Sequence, residues 1–506
     1  MLKVVLLPLD ERPCNIRYPK QIFAGETIDL VIPSQESLGN KKTPVSFDWI
    51  DRYLIHETRD AKGLVVSMDM LLYGGLVPSR LHHHTEDDLL KRFEVLKVIK
   101  KNNPSLIIYA FDLIMRCPQY SSNDEEPDYY EICGLEIFKT GFLGHKIELG
   151  IASESEKSVF QSLNVNPEYL NDYIGRRNLN LAMNRKTLSL VDQKIIDFLV
   201  IPQDDAAQYG YTAKNQEVLK RDIDDYGIGH QVYMYPGADE VANTLLSRMY
   251  CTLHQIKPKF YIHYPSPSCA TTIPLLEDRY LDVTARYQIR AAGGMTISSI
   301  QEADIILFIN ASGTKMASSA NLTAQRDEGL RTLRNLNDFV ELISDVIHLE
   351  KKVAAVADVA TLNGSDHELM QLLQQKGLLL KLGAYAGWNT SSNTLGTTIP
   401  HSIQTWSKGQ TKQHLDFLVS RYVEDYGYMT WVKSDVNSKL KPLGCNYFDI
   451  SNKVDIVEGM VAQGLFDFIH KYLSTIEQHI QINKVWMPWK RMFEVGVDVV
   501  YKDKKK

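Results

Sequence analysis

No stretch of the chain reaches the roughly 18 consecutive apolar residues of a membrane-spanning helix, so none is expected. A secretory leader is not expected either, because the first apolar run, Val4 to Leu9, meets Asp10-Glu11-Arg12 at once. Cysteine is sparse. Cys14, Cys117, Cys133, Cys251, Cys269 and Cys445 are scattered without a C-x-x-C pair, which argues for reduced thiols in a cytoplasmic protein rather than a disulfide framework. There is no positive excess: the formal net charge is −6, which points away from nucleic acid, and the short basic tail Lys502, Lys504-Lys505-Lys506 reads as solvated.

Several motifs are also missing. Without G-x-x-x-x-G-K-[ST], or G-x-G-x-x-G after the first strand, neither a phosphate loop nor a dinucleotide is suggested, and no cofactor is expected. No G-x-S-x-G elbow surrounds Ser67 or Ser79, and no cysteine has an evident histidine partner, which disfavours a Ser or Cys nucleophile. His82-His83-His84 lacks the H-x-x-x-H spacing, and consecutive side chains rarely converge on one ion, so no metal site is expected.

What remains has the balance of an ordinary globular protein, 44% hydrophobic and 23% charged, and 506 residues are enough for about three domains. Strand-like runs recur near 3–9, 28–33, 63–68, 105–111, 197–203, 230–235, 258–264, 303–309, 352–357 and 378–385. Helical patterns fill most gaps, as in Glu86 to Lys101, Ala238 to Gln255, Gln325 to Leu349 and Asp366 to Lys376. This alternation predicts an α/β fold of two doubly wound, largely parallel sheets, with a β/α barrel-like arrangement as the alternative. The expected divisions are an N-terminal α/β domain over 1–225 with a helical insertion around 121–195, a second α/β domain over 226–400, and a mostly helical region over 401–506. Thr85-Glu86-Asp87-Asp88 and Ser365-Asp366-His367-Glu368 fit helix caps, the latter as a capping box, and Asp239-Glu240 fits a helix start, so these acids are assigned to structure.

Five of the strand-like runs break off into polar residues: Asp10-Glu11-Arg12-Pro13-Cys14-Asn15; Asp69 with Tyr73-Gly74-Gly75, Ser79 and Arg80; Asp112 and Arg116; Gln203-Asp204-Asp205; and Gly387-Trp388-Asn389. Loops at the carboxyl ends of parallel strands are where ligands bind. At these segments the chain resembles a bacterial protein family known as a domain of unknown function, DUF4127. The matching stretches include Pro8 to Pro13, Ser67 to Arg80, Met115-Arg116, Gln203-Asp204-Asp205 with Tyr209-Gly210, Tyr235 to Glu240, and Gly387 to Thr390 with Asn393 to Gly396. The chain departs from that family's opening motif at Glu11, where a second Asp is usual. The resemblance implies a nearly full-length match and singles out these residues, but it supplies no reaction.

The side chains point to a hydrolase, most plausibly a carboxylate-dependent glycosidase acting on a carbohydrate or amino sugar. Asp10, Asp69, Asp204 and Asp205 are the candidate catalytic carboxyls, of which two are needed, one protonated and one ionised. Arg12, Asn15, Arg80, Arg116, Asn389 and Asn393 could hold hydroxyl, acyl or acidic groups, with Tyr73, Tyr209 and Trp388 as stacking faces. Two alternatives stay open: a divalent-metal-dependent hydrolase or phosphoryl-transfer enzyme with the aspartates as ligands, and a non-catalytic two-lobed small-ligand binding protein. The expected partner is a small molecule or saccharide, without nucleic acid or membrane; the oligomeric state is left open.

Overall fold

The computed structural model describes residues 1–25, 27–318 and 328–503. The start of the helix expected from Gln325, and the lysines at 504–506, lie outside them. The chain divides into two units. Unit 1 holds Met1–Ile16, Ala24–Leu245 and Leu276–Asp278; unit 2 holds Arg17–Phe23, Leu246–Leu275 and Arg279–Lys506.

Unit 1 is built on a six-stranded parallel sheet of β1 (Leu2–Leu7), β2 (Ile28–Val31), β3 (Gly63–Ser67), β4 (Ile107–Phe111), β5 (Phe198–Gln203) and β6 (Val232–Pro236), in the order β2-β1-β3-β4-β5-β6. Every residue of β3 and β5 is buried, which is why these segments read as unbroken apolar runs rather than alternating ones. The chain goes from β1 out to β2 and then back past β1 to β3. The two β1 neighbours therefore leave the sheet in opposite senses, and the crevice at the carboxyl ends lies at β1/β3.

Register then fixes what meets there. Ser67 pairs with Phe111, and Phe111 with Val200, so Asp69 and Asp112 emerge side by side just past the ends of adjacent strands. The insertion forms helices Tyr130–Glu148, Glu154–Ser162 and Pro167–Asp192. The last of these braces the loop after β4. Arg177 donates to the carbonyls of Met115 and Arg116, at 2.5 and 2.8 Å, and Tyr173 Oη donates to the Arg116 carbonyl at 2.8 Å.

Unit 2 carries a five-stranded parallel sheet of β7 (Lys259–His263), β8 (Met295–Thr296), β9 (Ile305–Asn310), β11 (Val353–Asp358) and β13 (Ala384–Ala386). Its order, β8-β7-β9-β11-β13, repeats the 2-1-3-4-5 winding of unit 1. The short β10 (Ala317–Ser318) and β12 (Thr361–Leu362) pair with each other, as do the antiparallel β14 (Ile480–Trp486) and β15 (Gly496–Tyr501). The fold is thus α/β with two doubly wound parallel sheets, a helical insertion and a mostly helical C-terminal part, not a barrel.

Some boundaries differ from expectation. The strand expected to open a second domain near 230–235 is β6, which closes unit 1's sheet after the crossover helix Tyr211–Tyr226. Residues beyond 400 share one core with unit 2's sheet, Phe468 and Val497 joining Phe308 and Val356, instead of forming a separate region. The run at 378–385 is a strand only over Ala384–Ala386. Leu378, Leu379 and Leu382 all enter one core, which a helical turn permits and an extended strand does not. The expected helix Glu86–Lys101 is two, Glu86–Arg92 and Glu94–Asn102. At Ser365–Glu368 the cap is Asp366, which accepts from the Glu368 amide at 3.1 Å.

The turn after β3 depends on one glycine. Ser67 caps the helix Met68–Tyr73, and Gly74 ends it with φ +82°, where an added Cβ would meet Pro44 Cβ at 2.7 Å. Gly74→Ala is therefore expected to lower stability by more than about 1 kcal/mol, measured as a fall in the denaturant midpoint at unchanged slope.

Candidate functional site

The loop after β1 closes on itself around Arg12. The Asp10 carboxylate accepts from Arg12 Nε at 2.9 Å, Arg12 Nη2 at 2.6 Å, the Arg12 amide at 3.0 Å and Asn15 Nδ2 at 2.8 Å. The far side of the guanidinium donates to Asp239 Oδ1 at 2.5 Å, just after β6. All three charged side chains are buried. Burial is the main force raising the Asp239 carboxyl above its ordinary value, with Arg12 opposing and Asp10 and Asp204 adding to the rise. Glu11 serves the neighbouring loop, accepting from the Lys41 amide at 2.7 Å.

Asp69 and Asp112 form a second pair. Asp69 Oδ2 accepts from the Leu113 amide at 3.1 Å, and Asp112 Oδ2 accepts from Thr187 Oγ1 at 2.6 Å. Burial raises both carboxyls, and Asp112 pushes Asp69 further up, so the pair favours holding a proton.

The third group is a lattice of two arginines and four acids. Arg80 donates to Asp204 Oδ2 at 2.8 Å and to Glu125 Oε2 at 2.9 Å. Arg116 donates to Glu126 Oε1 at 2.7 Å and Asp205 Oδ2 at 3.1 Å, and pairs with Glu125 at 3.2 Å. Asp204 and Asp205 do not point opposite ways, as an extended backbone would require, because Asp205 adopts φ +42° and turns its carboxylate toward Arg116. Burial raises both carboxyls, and in Asp204 the Asp205 charge adds to it, while the arginines pull both down. The Asp204 side chain is 17% exposed, against 4% for Asp10, so it is the more accessible of the two.

These groups are electrically continuous. The Arg80 charge acts on Asp69, and the Asp204 charge acts on Asp239. Tyr73 stacks on His82 at 4.6 Å and lies near enough to Asp112 and Asp69 for their charges to raise its hydroxyl, with burial the main cause. Tyr209 packs edge-on against Phe142 and lines, with Asp205, a small cavity of about 10 Å³.

Several members were not legible as site residues. Asp112, which follows a strand run, joins the candidate carboxyls only through its place beside Asp69. Glu125 and Glu126 belong to the acidic stretch Asp124-Glu125-Glu126-Pro127-Asp128 ahead of the first insertion helix, where nothing in the local pattern marks them. Asp239 and Glu240, assigned to a helix start, lie at the carboxyl end of β6, where Asp239 holds Arg12. Glu240 is buried, with Oε2 accepting from the Ala238 amide at 2.9 Å; a Cβ at Gly237, φ +147°, would strike its carboxyl. Burial raises Glu240 to about 8, with Asp239 and Glu277 contributing.

Trp388, Asn389 and Asn393 belong to unit 2 and lie at the end of β13. Trp388 is buried, donates from Nε1 to Thr397 Oγ1 at 3.1 Å, and meets Tyr18 edge-on at 5.6 Å. Asn389 takes φ +53° in the turn, and its carbonyl accepts from the Asn363 amide at 3.0 Å. Asn393 accepts no bond at Oδ1, although it is buried. Beside this turn, unit 2 has its own polar network. Asn310 and Asp358, at the ends of β9 and β11, bond at 2.9 Å, and Arg334 bridges Asn310 and Asp366 at 2.7 and 2.5 Å. Asp425, in a π-helical stretch Tyr422–Val432, accepts from the Gly387 amide at 2.8 Å.

The family model described as a protein of unknown function, DUF4127, matches residues 4–498, nearly the whole chain. The chain is a member of the DUF4127 family. No curated protein and no solved structure matches it. Both clusters of this family member lie within the matched span. Among the described residues no three His, Cys, Asp or Glu side chains are grouped to hold a metal ion, and no helix is long and apolar enough to cross a membrane. His82, which opens the triple-histidine run, instead faces Asn180 Oδ1 at 2.8 Å.

Two predictions follow from the charges. Arg12→Met strands two buried carboxylates and is expected to cost about 3–5 kcal/mol; adding Asp239→Asn should recover part of that loss in the same denaturant titration. For Glu240 the native carboxyl titrates at about 8 and the ordinary one at 4.5, so the native state holds the extra proton between those values. The stability this provides is complete below pH 4.5 and is lost as pH rises through 8. Glu240→Gln should therefore flatten the fall in Tm between pH 4.5 and about 8, and a parallel fall in wild type and variant across that window would count against it.

Proposed function

We propose that unit 1 is the catalytic unit of a carboxylate-dependent hydrolase, most plausibly a glycosidase, with Asp69 and the Asp204–Asp205 pair as its working acids. The observation that carries this reading is the unequal environment of Asp69 and Asp204, both of which feel the Arg80 charge. Asp204 is gripped by Arg80 at 2.8 Å and partly accessible, and the rise from burial and Asp205 is opposed there by Arg116 and Arg80, whereas Asp69 is buried, bonded to a backbone amide, and raised by burial and Asp112. Acid–base hydrolysis uses that division: a carboxyl that keeps its proton donates to the leaving oxygen, and an arginine-held carboxylate activates water or attacks directly.

In this assignment Asp69 is the proton donor and Asp204 the base or nucleophile. Arg80 and Arg116 hold Asp204 and Asp205 in place and moderate their charge. The Arg12 cluster supplies a polar wall rather than a reacting group, because both Asp10 oxygens are already saturated by Arg12 and Asn15. Arg12, Arg80 and Arg116 occupy oxygens of Asp10, Asp204, Asp205 and Asp239 that a cation would need, an arrangement that suits carboxylate chemistry better than cation ligation. A non-catalytic small-ligand binding protein is the second reading. It is supported by the repeated strand order, since each unit carries a polar cluster at the ends of its strands.

Hydrolysis of aryl glycosides and aryl phosphates, each with and without EDTA, tests the assignment against both rivals. Chelator-resistant glycoside cleavage, reduced at least about 100-fold in Asp69→Asn and Asp204→Asn, is the expected result. Phosphate cleavage abolished by EDTA would make the aspartates metal ligands. Saturable glycoside binding without turnover would favour the binding protein.

A further inference from the structure

The outer edge of unit 2's sheet is left open part-way along. β8 is only Met295–Thr296, and it pairs with Lys259 and Phe260 at the start of β7. The last rung there is the Ile297 amide donating to the Phe260 carbonyl at 2.9 Å, while the Lys259 carbonyl faces the other way and accepts from the Asp304 amide at 2.9 Å. Backbone groups of a strand alternate between its two edges, so Ile262 turns its N–H and C=O to the same side as Phe260. β8 has ended by that point, and among the described residues no bond reaches Ile262 from that side. A cavity of about 520 Å³ lies against this edge, lined by Tyr261, Ile262, Arg286, Thr296, Ile297 and Ser298.

These walls are chemically one-sided. The helix Leu281–Ala291, which lies between β7 and β8 in the chain, supplies Arg286. Its Nε donates to Asp282 Oδ2 at 2.6 Å, one turn back, and Asp282 also accepts from Tyr264 Oη at 3.3 Å. Both Nη groups of Arg286 are left without a partner among the described residues. A guanidinium held through Nε presents its Nη edge as a pair of parallel donors, which two oxygens of a carboxylate or phosphate can accept together. The Thr296 and Ser298 hydroxyls and the Ile262 N–H add donors around the same space, and no carboxylate is among the lining residues. Tyr261 and Ile297 pack against unit 2's core, which fixes an apolar wall beside the polar one. Open strand edges in folded proteins are normally covered or blunted by charge. This one faces a space within the roughly 300–1,000 Å³ of small-molecule sites.

We infer that this cavity is a binding site of unit 2 for a small organic oxyanion, a carboxylate or phosphate monoester carried on a flat apolar body. Arg286 clamps the anionic head, Thr296, Ser298 and the Ile262 N–H complete its bonds, and Tyr261 and Ile297 flank the body. A cation would meet the Arg286 charge with no lining acid to offset it. The inference does not use the hydrolase reading, since every residue it names lies in unit 2.

The test is calorimetric titration of the full chain, at neutral pH and low salt, with benzoate, phenyl phosphate, benzamide and inorganic phosphate. Benzoate or phenyl phosphate should bind with a Kd of about 1 mM or tighter, the range open to so small a ligand. Whichever binds tighter identifies the head group. Benzamide keeps the flat body without the charge, and inorganic phosphate keeps the charge without the body; each should bind at least about tenfold more weakly. Arg286→Gln should remove the preference for the anions over benzamide. Ser298→Trp, at an exposed position, should block both aryl anions by filling the space, with the far-UV spectrum unchanged in each variant. Benzamide matching the anions, inorganic phosphate matching phenyl phosphate, binding of neither aryl anion, or an anion preference that survives Arg286→Gln overturns the site.

Discussion

Unit 1 is governed by a shortage of positive charge where its strands end. Nine carboxyl groups gather there (Asp10, Asp69, Asp112, Glu125, Glu126, Asp204, Asp205, Asp239 and Glu240), and the guanidinium groups paired among them are those of Arg12, Arg80 and Arg116. Away from bulk water, ionised carboxyls cannot crowd together without compensation. Burial raises Asp204, Asp205 and Asp239, and the arginines beside them pull them back down against it, whereas Asp69, with Asp112 beside it, is pushed further up. The split between Asp204 on Arg80 and Asp69 beside Asp112 follows from that competition rather than from any property of aspartate.

Much of the surrounding architecture keeps this charge lattice in register. The parallel pairing of Ser67 with Phe111 sets Asp69 against Asp112. The long helix of the insertion holds the backbone at Met115 and Arg116 through Arg177 and Tyr173, so the Arg116 guanidinium starts from a fixed carbonyl frame. Thr187 on that helix bonds Asp112 at 2.6 Å. The helical insertion therefore backs the cluster, through Tyr173, Arg177 and Thr187.

The two units solve the same winding problem with different polar contents. Unit 1 ends its strands in acids and arginines with several bonding positions left open, at Asn15, Glu240, Asn243 and Thr244. Unit 2 ends β9 and β11 in Asn310 and Asp358, which Arg334, Asp366 and Tyr385 largely satisfy among themselves. The functional reading centres on unit 1 because Asp69 and Asp204 stand there in unequal environments.

The sequence by itself determined the fold class and the location of the polar groups. Strands buried on both faces must be written as apolar runs, and the residues that end such a run lie at the strand's carboxyl end; Asp10, Asp69 and Asp204 were legible for that reason. It also carried Arg80 and Arg116, although not their partners. Tertiary structure alone decided which acid meets which arginine, because Asp239 reaches Arg12 across 227 positions of chain and Arg80 reaches Asp204 across 124. It likewise decided that β6 belongs to the first sheet, since parallel partners are joined through a crossover whose sequence does not say where it returns. Local patterning reports burial and period. Charge compensation depends on distances between segments far apart in the chain, and those exist only once the sheet has formed.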